Sequence, residues 1–352
     1  MVFDFIKVLA PATVSFLIGI LVTPLVSHYL YRFRCWKKRS VAVAADGRAA
    51  PISQKLHSDE QRQVPRMGGI IIWLATLATV FGFWLTATFA PSELSVKLNF
   101  FSRNQTWLTA FTLLVGAIVG FIDDYRSVSE RGTRGAGGIS ILQRVAVVGT
   151  VGFIGAWWFF FKLDVASVIV PFIGEWNLGL FFIPFFLLVI LGTYSGGIID
   201  GLDGLAGGVF ATIFSAYGVI AFFQEQIDLA AFSFVIVGAL LAFLWFNIPP
   251  ARFYMGETGI MAITMTLAVI AFLTRQVLVL PIIALPLVAT SLSSTIQLLS
   301  KRFRNGKKVF IVAPLHHHLE ALGWPSYKVT MRYWVLTAIC AVVGIIVAFL
   351  GS

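Results

Sequence analysis

Long apolar segments separated by short polar stretches make up most of the chain. Ten of them have about 17–25 residues, the length that a helix needs to cross the hydrocarbon layer of a membrane. These segments cover residues 8–30, 68–90, 106–122, 145–162, 179–199, 205–223, 230–246, 259–274, 277–299 and 331–350. The pattern predicts an all-α integral membrane protein with about ten transmembrane helices, organised as one domain over residues 1–352.

The composition excludes an ordinary soluble protein. Hydrophobic residues make up 58% of the chain, charged residues make up 12%, and the mean hydropathy is +0.89. The polar stretches are too short to hold a separate soluble domain. The two cysteines, Cys35 and Cys340, are far apart and match no metal-binding pattern, so neither a disulfide nor a thiolate site is predicted.

Lysine and arginine are distributed unequally between the two sides of the predicted bundle. With ten spans the connecting loops alternate between the sides, and one side carries all but five of the 26 basic residues. The five exceptions are Lys7, Lys97, Arg103, Lys162 and Arg275. Because basic loops stay in the cytoplasm, this bias predicts that both termini are extracytoplasmic. The net charge of +10 follows from this topology and from attraction to anionic lipid headgroups, and it requires no nucleic-acid partner.

Four aspartates lie at the ends of apolar segments on the predicted cytoplasmic side. Asp123 and Asp124 end one segment, while Asp200 and Asp203 stand in a glycine-rich connection. A carboxylate beside lipid is costly, and several together at a membrane edge favour a divalent cation with a phosphate-rich ligand. A solvated helix end would explain the first pair equally well, and a helix-packing seam would explain the glycines but not the second pair.

Two further strings offer polar side chains on the same side. The connection 247–259 supplies an amide, the ring of Tyr254 and the carboxylate of Glu257, although alone it is better explained as a Pro/Gly turn with a capping acid. Three consecutive histidines occupy 316–318. Because neighbouring side chains diverge on a helix, contact with phosphate or sugar hydroxyls fits them better than a metal site, and a structural role stays open.

In order and spacing these motifs resemble the polyprenyl-phosphate N-acetylhexosamine-1-phosphate transferases. The resemblance runs from about Met67 to Trp334, and it is carried by residues 120–126, 200–206, 243–247 and 313–320. The histidine string followed by Gly-Trp-Pro at 323–325 is typical of one branch, the phospho-N-acetylmuramoyl-pentapeptide transferases. That family has ten helices, extracytoplasmic termini and a site that faces the cytoplasm, which agrees with the distribution of basic residues.

The resemblance implies an Mg²⁺-dependent phosphotransferase of the bacterial inner (plasma) membrane. It would transfer phospho-MurNAc-pentapeptide from UDP-MurNAc-pentapeptide to undecaprenyl phosphate, a membrane lipid, giving lipid I and UMP in the first membrane step of peptidoglycan synthesis. A homodimer is implied by the resemblance alone. Two alternatives stay open: a related transferase that uses UDP-GlcNAc or another UDP-sugar, and, from a different class, a cation-coupled membrane transporter.

Family position also implies roles for individual residues. The catalytic set would be Asp123, Asp124, Asp200, His316, His317 and His318. The Mg²⁺ ligands would be Glu257, Asp200 and Asp123. The substrate's nucleoside would lie among Gly201, Leu202, Asp203, Asn247, Tyr254 and Gln297, with the ring of Tyr254 stacked on uracil.

The chain departs from the family pattern around these residues. Glu257 replaces an aspartate, Gly197 an asparagine, Ser127 a lysine and Thr290 a glutamate, and the string 64–66 replaces Thr-Pro-Thr. Each difference changes one expected contact of the site, whereas the aspartates and histidines themselves match. Together the differences indicate a diverged enzyme with compensating changes, an altered substrate detail or low activity, and the matching aspartates and histidines argue against a wholly inactive relative.

Overall fold

A computed structural model describes residues 1–36, 64–102, 106–129 and 138–351 of the chain. Thirteen α-helices and one two-stranded hairpin are present in these ranges. In chain order they are α1 Val2–Arg32, α2 Ile70–Phe89, α3 Glu93–Leu98, α4 Thr106–Val128, α5 Ile141–Lys162, β1 Ser167–Val170, β2 Gly174–Asn177, α6 Phe182–Ser195, α7 Leu205–Phe223, α8 Ile227–Asn247, α9 Gly256–Leu273, α10 Leu280–Ile283, α11 Leu285–Phe303, α12 Leu315–Ala321 and α13 Ser326–Leu350. Short 3₁₀ turns extend α6 at both ends, at Gly179–Phe181 and Gly196–Ile199.

The structure confirms the predicted all-α, multi-span architecture. Within the described ranges, nine helical segments are long and apolar enough to cross a membrane. Val277–Ile283 and Leu285–Phe303 meet at an angle of 82°, and this bent pair makes a tenth span when the two helices are counted as one; we call it the broken span. Helices α10 and α11, which meet at this bend, each have a proline in the first turn. Proline lacks a backbone N–H, and it is tolerated there because the N–H groups of a first turn have no partner within the helix.

Helix α9 forms the centre of the bundle. In its most apolar stretch 89% of the residues are buried, against 28% for α13, although α13 is the more hydrophobic of the two. The aromatic ring of Phe272 near the end of α9 packs on Phe159, Phe182 and Phe186 from α5 and α6. Burial in this bundle therefore follows contact between helices, and the outer helices keep their apolar side chains for lipid.

Helices α4 and α9 touch through their backbones near one end of the bundle. A Cβ atom on Gly120 of α4 would lie 2.1 Å from the carbonyl oxygen of Glu257, so only glycine fits at this position. The contact places the end of α4, with its two aspartates, against the start of α9. We call this end of the bundle the site end. The opposite end, where Lys7 and Asp228 form an ion pair at 2.6 Å, is called the far end.

A β-hairpin at the far end connects α5 to the next span, and the apolar pattern did not predict it. Strands β1 and β2 are antiparallel, with Val168 opposite Trp176. Glu175 accepts hydrogen bonds from Ser167 and Arg275, and these bonds hold the pKa of its carboxyl below the usual value. The hairpin is thereby joined to the segment that leads into the broken span.

Candidate active site

The segment 251–258, which leads into α9, connects the aspartates of the site. Three carboxylates accept hydrogen bonds from its backbone N–H groups: Asp203 from Ala251 at 2.9 Å, Asp200 from Gly256 at 3.0 Å and Asp124 from Thr258 at 2.9 Å. The N–H groups at a helix start have no partner within the helix and carry partial positive charge, which suits carboxylates. The segment is therefore more than a turn, because it assembles side chains from two distant parts of the chain.

Arg144, near the start of α5, links two of the predicted metal ligands. Its guanidinium contacts Asp123 through Nη2 and Glu257 through Nη1, both at 2.7 Å. The second oxygen of Asp123 accepts from the backbone N–H of Ile139 at 2.5 Å, and the hydroxyl of Tyr194 donates to Glu257 at 3.4 Å. Asp123 is buried, so this arginine supplies the cation that a carboxylate out of water requires.

The sequence prediction missed Arg144 and Tyr194. In the sequence Arg144 has the appearance of one more basic residue at the cytoplasmic edge of a span. The available signal was local: Ser140 and Gln143 form a capping box that starts α5 at Ile141, which places Arg144 inside the first turn of the helix. A charged residue inside a span usually has a partner in the bundle. Tyr194 carried no such signal.

Asp200 lies in the connection between two spans and is half-buried. Burial raises the pKa of its carboxyl to about 6, while the N–H of Gly256 and the positive charge of Arg66 act in the opposite direction. The hydrogen bond and Arg66 therefore offset only part of the cost of burying this negative charge. A bound cation would stabilise it.

The donor set fits a magnesium ion that is shared with a phosphate ligand. Five carboxylates, those of Asp123, Asp124, Asp200, Asp203 and Glu257, are gathered around the start of α9, with Arg144 and Arg66 as basic neighbours. Over the ranges described above, no three histidine, cysteine or acidic side chains converge as a ready-made cage. Magnesium in phosphoryl-transfer sites commonly uses one or two carboxylates and completes its shell with water and substrate phosphate.

His316 and His317 lie against the connection between α6 and α7, which carries Asp200. His316 is fully buried, and a Cβ atom on Gly201 would lie 2.4 Å from its Nε2 and 3.1 Å from Nε2 of His317. The two imidazole rings are 4.2 Å apart, and Nδ1 of His317 lies 2.7 Å from the carboxylate of Glu320. Glycine at 201 is therefore what lets the histidine helix α12 approach the aspartates.

His318 points elsewhere. Its Nδ1 accepts a hydrogen bond from the backbone N–H of Ile311 at 3.3 Å, and its ring lies edge-on to Phe310 at 5.4 Å. This histidine secures the loop before α12 and does not contact the aspartates. Residues two positions apart do not face each other on a helix, which separates His318 from His316. The adjacent pair His316 and His317 stays together, with ring centroids 4.2 Å apart.

The residues predicted to line the nucleoside pocket do not share one environment. The Asn247 side chain accepts from the N–H of Gly204 at 3.1 Å and donates to the carbonyl of Phe253 at 2.8 Å, so it fastens the two connections together. Leu202 is buried in the apolar core. Tyr254 is partly exposed and is placed by its backbone, whose N–H donates to Pro65.

Gln297 on α11 holds the chain that leads to the histidines. Its amide donates to the carbonyl of Phe310 at 2.8 Å and accepts from the N–H groups of Val309 and Phe310 at 2.9 and 3.0 Å. These bonds use both polar atoms of the amide. Its contact with a nucleoside stays a prediction, and the structure gives it a clear role in positioning the loop.

Two departures from the family pattern have a packing explanation. A Cβ atom at Gly197 would lie 2.2 Å from Cγ2 of Ile260, so the space of a longer side chain is filled from α9. Thr290 is buried in α11, where its hydroxyl donates to the carbonyl of Pro286 at 2.7 Å and lies 3.3 Å from the hydroxyl of Tyr333. Both residues therefore take part in the packing of one helix against another.

Comparison with known proteins gives consistent matches over this region and beyond it. The profile of the family described as Glycosyl transferase family 4 matches residues 106–275, which include all the aspartates of the site and Glu257 but not the histidines. A phospho-N-acetylmuramoyl-pentapeptide-transferase of Listeria innocua is 32% identical over 338 residues, covering 95% of this chain and 96% of the relative.

Two other relatives have the same printed name. The one from Chloroflexus aurantiacus is 34% identical over 299 residues, which are 81% of this chain and 77% of the relative. The one from Dichelobacter nodosus is 37% identical over 261 residues, which are 68% of this chain and 71% of the relative. The similarity to such proteins therefore extends over most of the chain.

Proposed function

The chain belongs to the phospho-N-acetylmuramoyl-pentapeptide-transferase family, and from this premise we propose that it performs the family's reaction at the site described above. It transfers phospho-MurNAc-pentapeptide from UDP-MurNAc-pentapeptide to undecaprenyl phosphate and releases UMP, in the first membrane step of peptidoglycan synthesis. The substrates are thus one soluble nucleotide and one lipid, which suits a site at the end of a membrane bundle.

The observation that carries this proposal is the meeting of the aspartates with two histidines. Asp124, Asp200 and His316 are separated by up to 192 positions in the chain, yet all lie around Gly201 and the start of α9. A transporter of the broken-helix type would place its ionisable residues near the middle of the membrane. Here they lie at one end of the spans, where a soluble nucleotide has access.

The reaction exchanges one phosphoanhydride bond for another and leaves the ester bonds to the sugar and the lipid intact. An oxygen of the lipid phosphate forms a bond to the β-phosphorus of the UDP-sugar, the bond from that phosphorus to the bridging oxygen breaks, and UMP leaves with the electron pair. Such a step depends on in-line positioning and on neutralisation of charge. We assign the positioning of the lipid phosphate to Asp124, and contacts with phosphate or sugar oxygens to His316 and His317.

Asp200 and Glu257 would hold Mg²⁺, the metal that the family implies. Asp123 would join them, and because Arg144 contacts Asp123 and Glu257 alike, each of these two carboxylates would share its oxygens between the arginine and the ion. When bound, the ion neutralises the charge of the pyrophosphate as UMP leaves. Arg144 holds Asp123 and Glu257 at hydrogen-bonding distance, so the chain's own residues maintain the spacing of the site.

Location and topology follow the same premise. We propose that the protein lies in the bacterial plasma membrane with the site end in the cytoplasm, where UDP-MurNAc-pentapeptide is soluble. The basic side of the bundle supports this orientation. A homodimer remains an expectation from the family.

The test is release of UMP by purified protein given undecaprenyl phosphate, UDP-MurNAc-pentapeptide and Mg²⁺. Asp124→Asn and Asp200→Asn should each lower the rate by at least about a hundredfold, because each removes a charge that the transferred phosphate or its metal requires. The matched control is Asp164→Asn, which lies exposed near the far end with φ of 53°, a conformation that asparagine adopts readily.

Three outcomes would contradict the proposal. Normal rates in both site variants would remove the aspartates from the reaction. Preference for UDP-GlcNAc in a competition assay would favour the related sugar-phosphate transferases. No Mg²⁺-dependent release of UMP from any UDP-sugar would favour the transporter alternative.

A further inference from the structure

The β-hairpin at the far end has an apolar outer surface that the rest of the described chain leaves uncovered. Three large apolar side chains on it are exposed by 56% to 70%, which is high for such side chains outside the lipid-facing helices. They are Phe172 and Ile173 at the tip and Trp176 on β2, and the exposed Leu180 and Phe181 at the start of the next span continue the surface. In a water-facing loop such a group would be unfavourable.

The backbone at the tip indicates that the aromatic ring there has a use. Phe172 has φ of 66°, a left-handed conformation that glycine or asparagine adopts easily and that a bulky side chain rarely does. Gly174, two residues later, takes φ of 106° and completes the reversal. The chain therefore accepts strain at position 172 while keeping a phenylalanine that is 70% exposed.

The hairpin is fixed to the bundle through its other contacts. The guanidinium of Arg275 donates to the hydroxyl of Ser167 at 2.8 Å and pairs with Glu175. Val168, opposite Trp176 in the ladder, is buried. These contacts restrict how the hairpin can turn, so its apolar surface points in a set direction.

The position of the hairpin along the axis of the bundle is fixed as well. The N–H of Phe172 donates to the carbonyl of Gly351 at 3.0 Å, and Gly351 directly follows the end of α13. The base of the hairpin joins the end of α5 at Lys162 to the next span at Gly179. Tip and base therefore both lie at the level where spans end, which is the boundary between hydrocarbon and water.

We propose that this hairpin is an interfacial anchor, inserted into the lipid headgroup layer at the far end of the bundle. Its partner is the bilayer surface itself, and in the predicted orientation this is the outer leaflet. The apolar surface continues into side chains that face lipid on the neighbouring spans, such as Leu188 and Leu350, exposed by 68% and 71%. Tryptophan at the level of the headgroups is typical of membrane proteins, and Trp176 would fill that role.

The anchor would also act on the broken span. Because Glu175 and Ser167 hold Arg275, and Val277 begins the bent pair two residues later, the hairpin secures the far-end start of that pair, whose second helix α11 carries Gln297. This role is independent of the chemistry assigned to the site end.

Depth measurements on the full-length protein in lipid nanodiscs test the proposal. In a background with Cys35→Ala and Cys340→Ala, a spin label is placed at Ile173→Cys, and a matched label at Glu225→Cys in the exposed turn between α7 and α8, also at the far end. The label at 173 should be several-fold less accessible to water-soluble nickel chelate than the label at 225, and more accessible to oxygen. Retained release of UMP shows that both labelled proteins are folded.

Two results would overturn the proposal. Equal access of nickel chelate at 173 and 225 would place the hairpin in water. Loss of access to both reagents at 173 would mean that protein covers the tip, as a second copy of the chain would do. A second label at Trp176→Cys keeps the outcome readable if the tip variant fails to fold, because position 176 lies on the hairpin and outside the neighbouring span.

Discussion

At the scale of single residues, Glu257 is the most informative of the departures that the family resemblance implies, because the structure shows its partners. Its longer side chain reaches Arg144 at 2.7 Å and Tyr194 at 3.4 Å. From the sequence alone, the variant Glu257→Asp could either raise the reaction rate or leave it unchanged, because the sequence does not show which residues contact Glu257. The observed contacts indicate that the pocket has adapted to glutamate.

We therefore expect Glu257→Asp to weaken the enzyme. Loss of one methylene moves the carboxylate out of hydrogen-bonding reach of its two partners, and the concentration of Mg²⁺ for half-maximal UMP release should rise by about tenfold. Tyr194→Phe, which removes only the longer contact, should have a smaller effect. A faster reaction in Glu257→Asp would show instead that the glutamate is a compromised ligand.

At the scale of helices and loops, contact between α4 and α9 is what brings the carboxylates together. Gly120→Ala would force a methyl group against the backbone at Glu257. We expect it to lower the free energy of unfolding by about 1–3 kcal/mol, as overpacking does, and to reduce UMP release by displacing Asp123 and Asp124. Thermal denaturation in nanodiscs measures the first effect.

The control for this variant is Gly149→Ala in α5, where no atom lies within 4 Å of the added Cβ. That change should leave activity intact and stabilise the helix by up to about 1 kcal/mol, because alanine favours helix more than glycine does. The two variants carry the same chemical change and should shift the melting temperature in opposite directions. A similar melting temperature for both would contradict the close packing of α4 on α9.

The elements that sequence could predict are those fixed by local composition. In the described ranges, nine of the ten predicted segments correspond to single helices of spanning length, and the tenth corresponds to the bent pair, because length and hydropathy are local properties. The prolines in the first turns of α10 and α11 were a local signal for the bend of 82° before Leu285, and the apolar pattern did not use them. The hairpin at 167–177 is held by hydrogen bonds with distant residues, which the apolar pattern does not show. For Arg144 the capping box was a local signal of its place in the helix, whereas its two partners come from other spans and could not be read from the sequence.

At the scale of the whole molecule, the charge distribution predicts which end faces the cytoplasm. Ser92 is exposed in the loop before α3 near the far end, and Lys308 is exposed in the loop after α11 near the site end. In spheroplasts, a membrane-impermeant maleimide should label Ser92→Cys and leave Lys308→Cys unmodified until the membrane is opened. The background carries Cys35→Ala and Cys340→Ala, and the reverse labelling pattern would contradict the orientation.

The bridge that Arg144 makes between α4, α5 and α9 has a consequence for how the bundle tolerates its own charge. Asp123 and Glu257 repel each other, and the guanidinium that lies 2.7 Å from each of them offsets that repulsion. The packing that gathers the carboxylates at the site end therefore also brings the cation that allows them to stay close. The spacing of the site is in this way a property of the three packed helices.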